Sequence, residues 1–190
     1  MDDVIMKKLN IAYAAVALAM AFGQQAMAGD GTITFNGEVT DVTCDISANG
    51  STANATVELP TVAASALSGP DQTAGATPFD ISLSGCKGTL TEAKNVAVYF
   101  EPGTNVNGAG RLQNTITGTT GAKNVDIALY LPSNLDDPLE LGVNPDKEYG
   151  TIAAGGSGTT TMNFVAKYYA TAPAGAGLVN SSVTYSIIYP

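Results

Sequence analysis

The sequence predicts an all-β chain, an antiparallel sandwich of the immunoglobulin type, and three observations carry that prediction. Short stretches alternate apolar and polar residues with period two. Gly, Ser, Thr, Asn and Pro punctuate nearly every interval between them, and no window of useful length keeps a 3.6-residue apolar period. Many short strands at close spacing fit a sandwich rather than an α/β enzyme. With 190 residues and no internal repeat, the chain suits a single core.

Before the first strand, Lys7 and Lys8 precede an apolar run over 11–22, followed by Ala26-Met27-Ala28. That order is a secretory signal ending in an A-x-A cleavage site, so residues 1–28 are read as a signal peptide. The apolar run is shorter than the ~20 residues a spanning helix needs. Translation starts at Met1 or at Met6, and Met6 gives the more usual basic opening. Removing the signal leaves the net charge at −9, because Lys7 and Lys8 balance Asp2 and Asp3. An acidic chain without a basic cluster repels phosphate backbones, which argues against nucleic acid as a partner.

The first strand pattern is GTITFNGEV at 31–39, where Ile33, Phe35 and Val39 share one face with Gly37 among them. Residues 56–59 and 79–83 also carry one apolar face each, with Pro60 and Pro78 marking borders. Residues 95–100 and 125–131 are richer in apolar side chains and belong deeper in the sandwich; Pro102 and Pro132 end them. The last third supplies strands at 160–169 and 182–189, joined by a Pro-, Ala- and Gly-rich loop. The polar stretches 63–77 and 103–124 read as surface loops and edge segments. Gly155-Gly156-Ser157-Gly158 reads as a hairpin turn, since neither the Lys-Ser/Thr pair nor the helix of a phosphate cradle follows it.

Two cysteines occur, Cys44 and Cys86, and export places them where thiols oxidise. One intramolecular disulfide is the simplest reading. Closing a loop of about 42 residues, it contributes about 4 kcal/mol, mostly by constraining the unfolded chain.

The chain has no histidine and no C-x2-C pair, which leaves a zinc site, a redox-active dithiol and a Ser-His-Asp triad without their parts. Composition leaves a Ser-Lys arrangement open. Asp136-Asp137 stands before Pro138 in an evident turn, and Asn134 and Asp146 do not complete the ligand spacing of a calcium loop. The Asn-x-Ser/Thr triplets at Asn49, Asn54 and Asn180 are ordinary in a chain this rich in those residues. The expectation is a non-enzyme without cofactor or metal.

Both ends of the mature chain are unusual. Residues 31–39 precede Cys44 and lie outside the disulfide loop, so nothing in that loop obliges them to pack at home. Near the other end, Val183, Tyr185, Ile187 and Tyr189 share one face, and no further strand is expected to cover that strand's edge. An exposed row of unpaired amides and carbonyls recruits other strands, so some other segment has to supply the partner.

Five features then bear on family: GTITFNGEV at 31–39 followed shortly by Cys44, ISLSGC at 81–86, AKYYAT at 166–171, the penultimate Tyr189, and Gly177 fourteenth from the end. With these, residues 29–190 resemble the major subunits of chaperone-usher fimbriae, the type 1 and P-pilus-like pilins. The resemblance implies a six-stranded incomplete immunoglobulin-like sandwich that lacks its last strand and is completed by a donor strand. It implies an N-terminal donor extension over 29–42, acting through Gly31, Ile33, Phe35, Gly37 and Val39. A pilin domain over 43–190 would accept a strand along Gly177, Val183, Tyr185, Ile187 and Tyr189.

The implied partners are a periplasmic chaperone, an outer-membrane usher, identical subunits in a fibre and a separate tip adhesin. The implied route runs through the periplasm to the bacterial surface. A minor adaptor or tip pilin is the neighbouring alternative, but a tip adhesin normally carries an extra lectin domain and lacks a donor extension. A free-standing carbohydrate-binding sandwich is another; it calls for exposed aromatics, whereas this chain has no Trp and most of its Tyr and Phe sit in strand patterns.

Overall fold

The computed structural model describes residues 31–145 and 147–190. They fall in two units that divide between Val39 and Thr40. The signal peptide read at 1–28 lies outside the described residues. In the first unit, every residue from 31 to 39 is exposed and none is in a strand, although their alternation predicts one.

The second unit, Thr40–Pro190, is a two-sheet β structure. Its strands are β1 (Thr43–Ala48), β2 (Thr73–Lys87), β3 (Lys94–Phe100), β4 (Leu112–Gln113), β5 (Lys123–Tyr130), β6 (Gly150–Ile152), β7 (Thr159–Gly175) and β8 (Tyr185–Ile188). One sheet has the order β1-β2-β7-β5-β4 and the other β6-β3-β8, and every pairing between these strands is antiparallel. The two shortest strands, β4 and β6, sit at sheet margins; without them six strands remain, the number that the expected fold has.

Period-two alternation positions the core. Ile81 and Leu83 of β2, Val96 and Val98 of β3, and Met162 and Phe164 of β7 are each at most 2% exposed. Fully burying an aliphatic or aromatic side chain of this size contributes about 1.5–3 kcal/mol. Phe164 is the hub: its ring stacks on Phe79 at 5.5 Å and meets Phe100 and Tyr149 edge-on at 5.3 and 5.5 Å. Such offset and edge-on contacts add about 0.5–1.5 kcal/mol beyond area burial.

Three sequence expectations need correction. Residues 56–59 alternate as foreseen but belong to no strand, because no strand among the described residues pairs with them. Pro78 does not border a strand; it lies inside β2, opposite Val165. That position is tolerated because β1 pairs with β2 only from Ile81 onward, leaving one flank of Pro78 free of a ladder that would need its N–H. The glycine run at 155–158 is not a hairpin, since it links β6 of one sheet to β7 of the other.

Finally, the outer faces of β5 and β7 are covered rather than solvated. Asp126 and Lys167 are each only 8% exposed there, beside buried Ala128, Tyr130 and Val165. Arg111 lies 4.1 Å over the Tyr169 ring and its Nε donates to Asp126 at 3.2 Å; Asn107 Nδ2 donates to the same oxygen at 2.8 Å. Lys167 Nζ donates to Leu135 O at 2.6 Å and sits 4.3 Å from the Tyr130 ring.

Candidate functional site

The site is the margin of the smaller sheet. β8 pairs with β3 on one flank, from Tyr185 opposite Phe100 to Ile188 opposite Ala97, and Thr184 O extends the ladder by accepting from Glu101 N at 2.8 Å. Its other flank carries no strand among the described residues. From 179 to 187 the chain alternates strictly between half-buried and exposed residues: Val179, Ser181, Val183, Tyr185 and Ile187 face in, and Asn180, Ser182, Thr184 and Ser186 face out. Val179, Val183, Tyr185, Ile187 and Tyr189 all pack on the main core while remaining partly exposed. The core is therefore open along this seam.

Residues 55–62 form the opposite wall, with Val57, Leu59 and Val62 half-buried and their neighbours 56, 58, 60, 61 and 63 exposed. At one end the walls are tied by Tyr185, whose hydroxyl donates to Ala53 O at 2.7 Å. Burial holds the Tyr185 and Tyr189 hydroxyls above the usual tyrosine value. At the other end lies a cavity of about 380 Å³, lined in part by the side chains of Leu59, Val62, Leu67, Val125, Tyr168 and Val179. Two missing-strand signatures thus coincide among the described residues, a β8 flank without a strand and an alternating segment at 56–59 outside any ladder.

Of the residues singled out in the sequence, Val183, Tyr185, Ile187 and Tyr189 come together on this seam. Gly177 does not lie on β8. It precedes that strand, lines the cavity, and packs on the backbone at Gly121 and Ala122, where an added Cβ would stand 2.3 Å from Ala122 N. Hydrogen bonds from Ala122 N to Leu178 O at 2.9 Å and from Leu178 N to Thr120 O at 2.8 Å close this contact.

Asn114 was not singled out, although it fastens the same junction. Its Nδ2 donates to Ala122 O and Leu178 O, and its Oδ1 accepts from Ile116 N and Asn180 N, all at 2.9–3.1 Å. One asparagine in a polar stretch carries no pattern that would have marked it.

The donor candidates Gly31, Ile33, Phe35, Gly37 and Val39 are exposed, with Ile33 at 79%, Phe35 at 89% and Val39 at 99%. A Cβ added at Gly31 or Gly37 would meet nothing within 4 Å. The stretch just after Val39 is held firmly. Asp41 accepts from Thr89 N at 3.0 and 3.1 Å and from Thr89 Oγ1 at 2.8 Å, and these bonds, the backbone one first, hold its carboxyl below the usual value. Cys44 and Cys86 are bonded and join β1 to β2 with Cα atoms 4.0 Å apart.

The acidic turn at Asp136 and Asp137 gathers no metal-binding group; among the described residues no cluster of three His, Cys, Asp or Glu side chains could hold an ion. Asp146 lies outside the described residues.

Comparison with known proteins bears on the same residues. The FimA family, type-1 fimbrial protein, A, matches residues 59–190. The major fimbrial subunit SMF-1 of Stenotrophomonas maltophilia is 43% identical, over 86% of this chain and 95% of its own. The F17 fimbrial protein of Escherichia coli is 40% identical, over 90% and 94%. Among solved structures, a subunit of a chaperone-usher pilus superposes with a TM-score of 0.51 at 19% identity, covering 88% of this chain and all of that one, and so shares the fold. With most of its length matched by the family and its fold that of a chaperone-usher pilin, the chain belongs to the type-1 fimbrial proteins and is a fimbrial subunit.

Proposed function

We propose that this chain is a structural shaft subunit of a bacterial surface fimbria and polymerises by donor-strand exchange. In this reading residues 1–28 are removed on export and residues 29–42 serve as donor extension. The body over 43–190 accepts the extension of an identical subunit. A periplasmic chaperone fills the seam first, an outer-membrane usher hosts the exchange, and a separate tip adhesin supplies receptor binding. The role is mechanical, not catalytic.

One observation carries the reading: an unpaired β8 flank over an open apolar seam occurs in the same chain as a nine-residue segment that is alternately apolar and wholly exposed. Burying Ile33, Phe35 and Val39 in a neighbour's seam contributes roughly 1.5–3 kcal/mol each. Backbone hydrogen bonds to the free flank of β8 each add about 0.5–1.5 kcal/mol. A joint of that strength, formed along an entire strand, resists dissociation kinetically. The relatives are fimbrial proteins, which supports a surface location; among the described residues no helix is long and apolar enough to cross a membrane.

Deleting residues 29–39 tests the reading. Cells producing only the deleted chain should export the subunit yet show no fibres by electron microscopy. Fibres of normal length from that chain would overturn it.

A further inference from the structure

Asn-Gly occurs three times in the chain, at 36–37, 49–50 and 107–108. Asparagine is among the thermolabile residues, and glycine, with no Cβ, lets the backbone turn into the geometry its chemistry needs. The glycine amide nitrogen attacks the asparagine Cγ; the new N–C bond closes a five-membered succinimide and the side-chain nitrogen leaves as ammonia. Water then opens the ring at Cγ to give aspartate, or at the main-chain carbonyl to give isoaspartate. In isoaspartate the main chain runs through the side chain and carries one extra methylene. Water is the only co-reactant, and nothing is oxidised or reduced.

The structure separates the three pairs. Asn107 is clamped: its Oδ1 accepts from Ala109 N at 3.0 Å and from Arg111 N at 3.1 Å, and its Nδ2 donates to Asp126 at 2.8 Å. Asn49 and Gly50 are fixed in a tight turn with φ of 48° and 71°. There Asn49 N donates to Asp80 O at 2.8 Å and Ser51 N to Ala48 O at 2.9 Å. Asn36 is exposed and outside any strand, and its amide has no hydrogen-bond partner among the described residues. Around Gly37 there is open space, since an added Cβ would meet nothing within 4 Å. Of the three, Asn36-Gly37 is the pair free to close the ring.

We propose that Asn36-Gly37 is a self-modifying site, open in the unassembled subunit and closed once residues 31–39 are docked, and that its isoaspartate product bars the chain from joining a fibre. The site itself follows from the free segment; its closure and its consequence rest on the donor-strand reading. A docked strand is held extended by bonds along its length, so Gly37 N cannot swing onto Asn36 Cγ. In isoaspartate the extra methylene falls between Phe35 and Val39 and breaks the two-residue spacing of the row. Ile33 and Phe35 can then dock, or Val39 can, but not all three. Losing even one buried side chain of this size weakens the joint at least roughly ten-fold. Subunits that wait too long for a neighbour would thereby be sorted out of the growing fibre.

The test ages the full-length mature chain, unassembled and as fibres, in mildly alkaline buffer. After reduction, a glutamate-specific protease cutting at Glu38, Glu58, Glu101 and Glu140 puts Asn36, Asn49 and Asn107 in separate fragments. Mass spectrometry reads the amide-to-acid mass gain, and fragmentation locates isoaspartate. In the unassembled chain Asn36 should convert at least roughly ten-fold faster than Asn107, whose amide must first break its bonds. Conversion foremost at Asn49 or Asn107 would overturn the site and leave donor-strand exchange standing. Asn36→Gln, which can close only a larger and slower ring, should abolish the mass gain of that fragment and still form fibres; a mass gain that persists would also overturn the site. In fibres conversion at Asn36 should fall at least roughly ten-fold, because the backbone is fixed. An undiminished rate there would mean that the segment stays free, and would overturn donor-strand exchange itself. When aged chain is left to polymerise, isoaspartate at position 36 should be at least roughly ten-fold rarer in the fibres than in the chain left behind, and an equal share would overturn the exclusion.

Discussion

Phe35→Ala separates the strength of the subunit joint from the stability of the subunit. At 89% exposure, Phe35 contributes next to nothing to the core of its own chain. Docked in a neighbour's seam it would be a core residue, and truncating a buried Phe to Ala costs about 3–5 kcal/mol. That amounts to between about two and four orders of magnitude in the equilibrium constant of each joint. The assay is the temperature at which purified fibres release monomer in detergent, with Thr34→Ala, whose side chain faces outward, as the control. Phe35→Ala fibres should fall apart at a clearly lower temperature, or be too weak to isolate, while Thr34→Ala fibres behave as wild type. Unfolding of the unpolymerised chain should be the same for all three. Fibres of unchanged heat resistance would refute the reasoning, and so would an equal loss of stability in the unpolymerised chain.

Three other substitutions probe neighbouring parts of the argument. Gly37→Leu should fold normally, since a Cβ at Gly37 meets nothing within 4 Å, yet abolish fibres seen by electron microscopy; normal fibres would contradict close docking at that position. Gly177→Ala should destabilise the body by about 1–3 kcal/mol in urea unfolding, because its new Cβ would stand 2.3 Å from Ala122 N, a backbone atom that cannot simply swing aside. The third concerns acid. The Asp41 carboxyl is held below its ordinary value of 3.8 by Thr89, so its contribution is present above that value and fades as pH falls through the lower folded value. Asp41→Asn should therefore flatten the fall of the urea midpoint below about pH 4, and an unaltered slope would remove Asp41 from the account.

The strands that form the core were legible because burial and period coincide in them. The patterns at 79–83, 95–100 and 160–169 fall within β2, β3 and β7, and 125–131 overlaps β5 up to Tyr130. At 32–39 and 56–59 the same pattern is present without a strand, for a physical reason: alternation records which face expects burial, whereas a strand also needs a neighbour to bond. Those two failures of strand assignment mark the candidate donor and one wall of the seam. What stayed hidden depends on residues far apart in sequence. Nothing in the sequence marks Asp126 and Lys167 as buried charges, yet Arg111, Asn107 and the carbonyl of Leu135 partner them. Ser181 was equally silent, because a serine in SSVTYS looks like any strand-end serine until its hydroxyl is found buried without a partner.

The distribution of apolar surface explains why the sealed outer face matters to assembly. Had β5 and β7 presented Ala128, Tyr130 and Val165 to water, each subunit would carry a second adhesive face competing with the seam. The Arg111–Asp126 pair, the Arg111–Tyr169 contact and the Lys167–Leu135 bond close that face with groups that prefer water to another sheet. Among the described residues the exposed large hydrophobics are Ile33, Phe35, Val39, Leu135, Val143 and Leu178. Half of them lie in the nine-residue candidate donor segment, and Leu178 lines the cavity at the end of the seam. In the proposed donor-strand exchange this concentration lets one copy satisfy another, and an open strand edge, ordinarily a route to aggregation, would become a directional joint. The same concentration makes a subunit with an empty seam prone to adhere to any available strand. A chaperone that occupies the seam until the next subunit arrives answers that physical requirement.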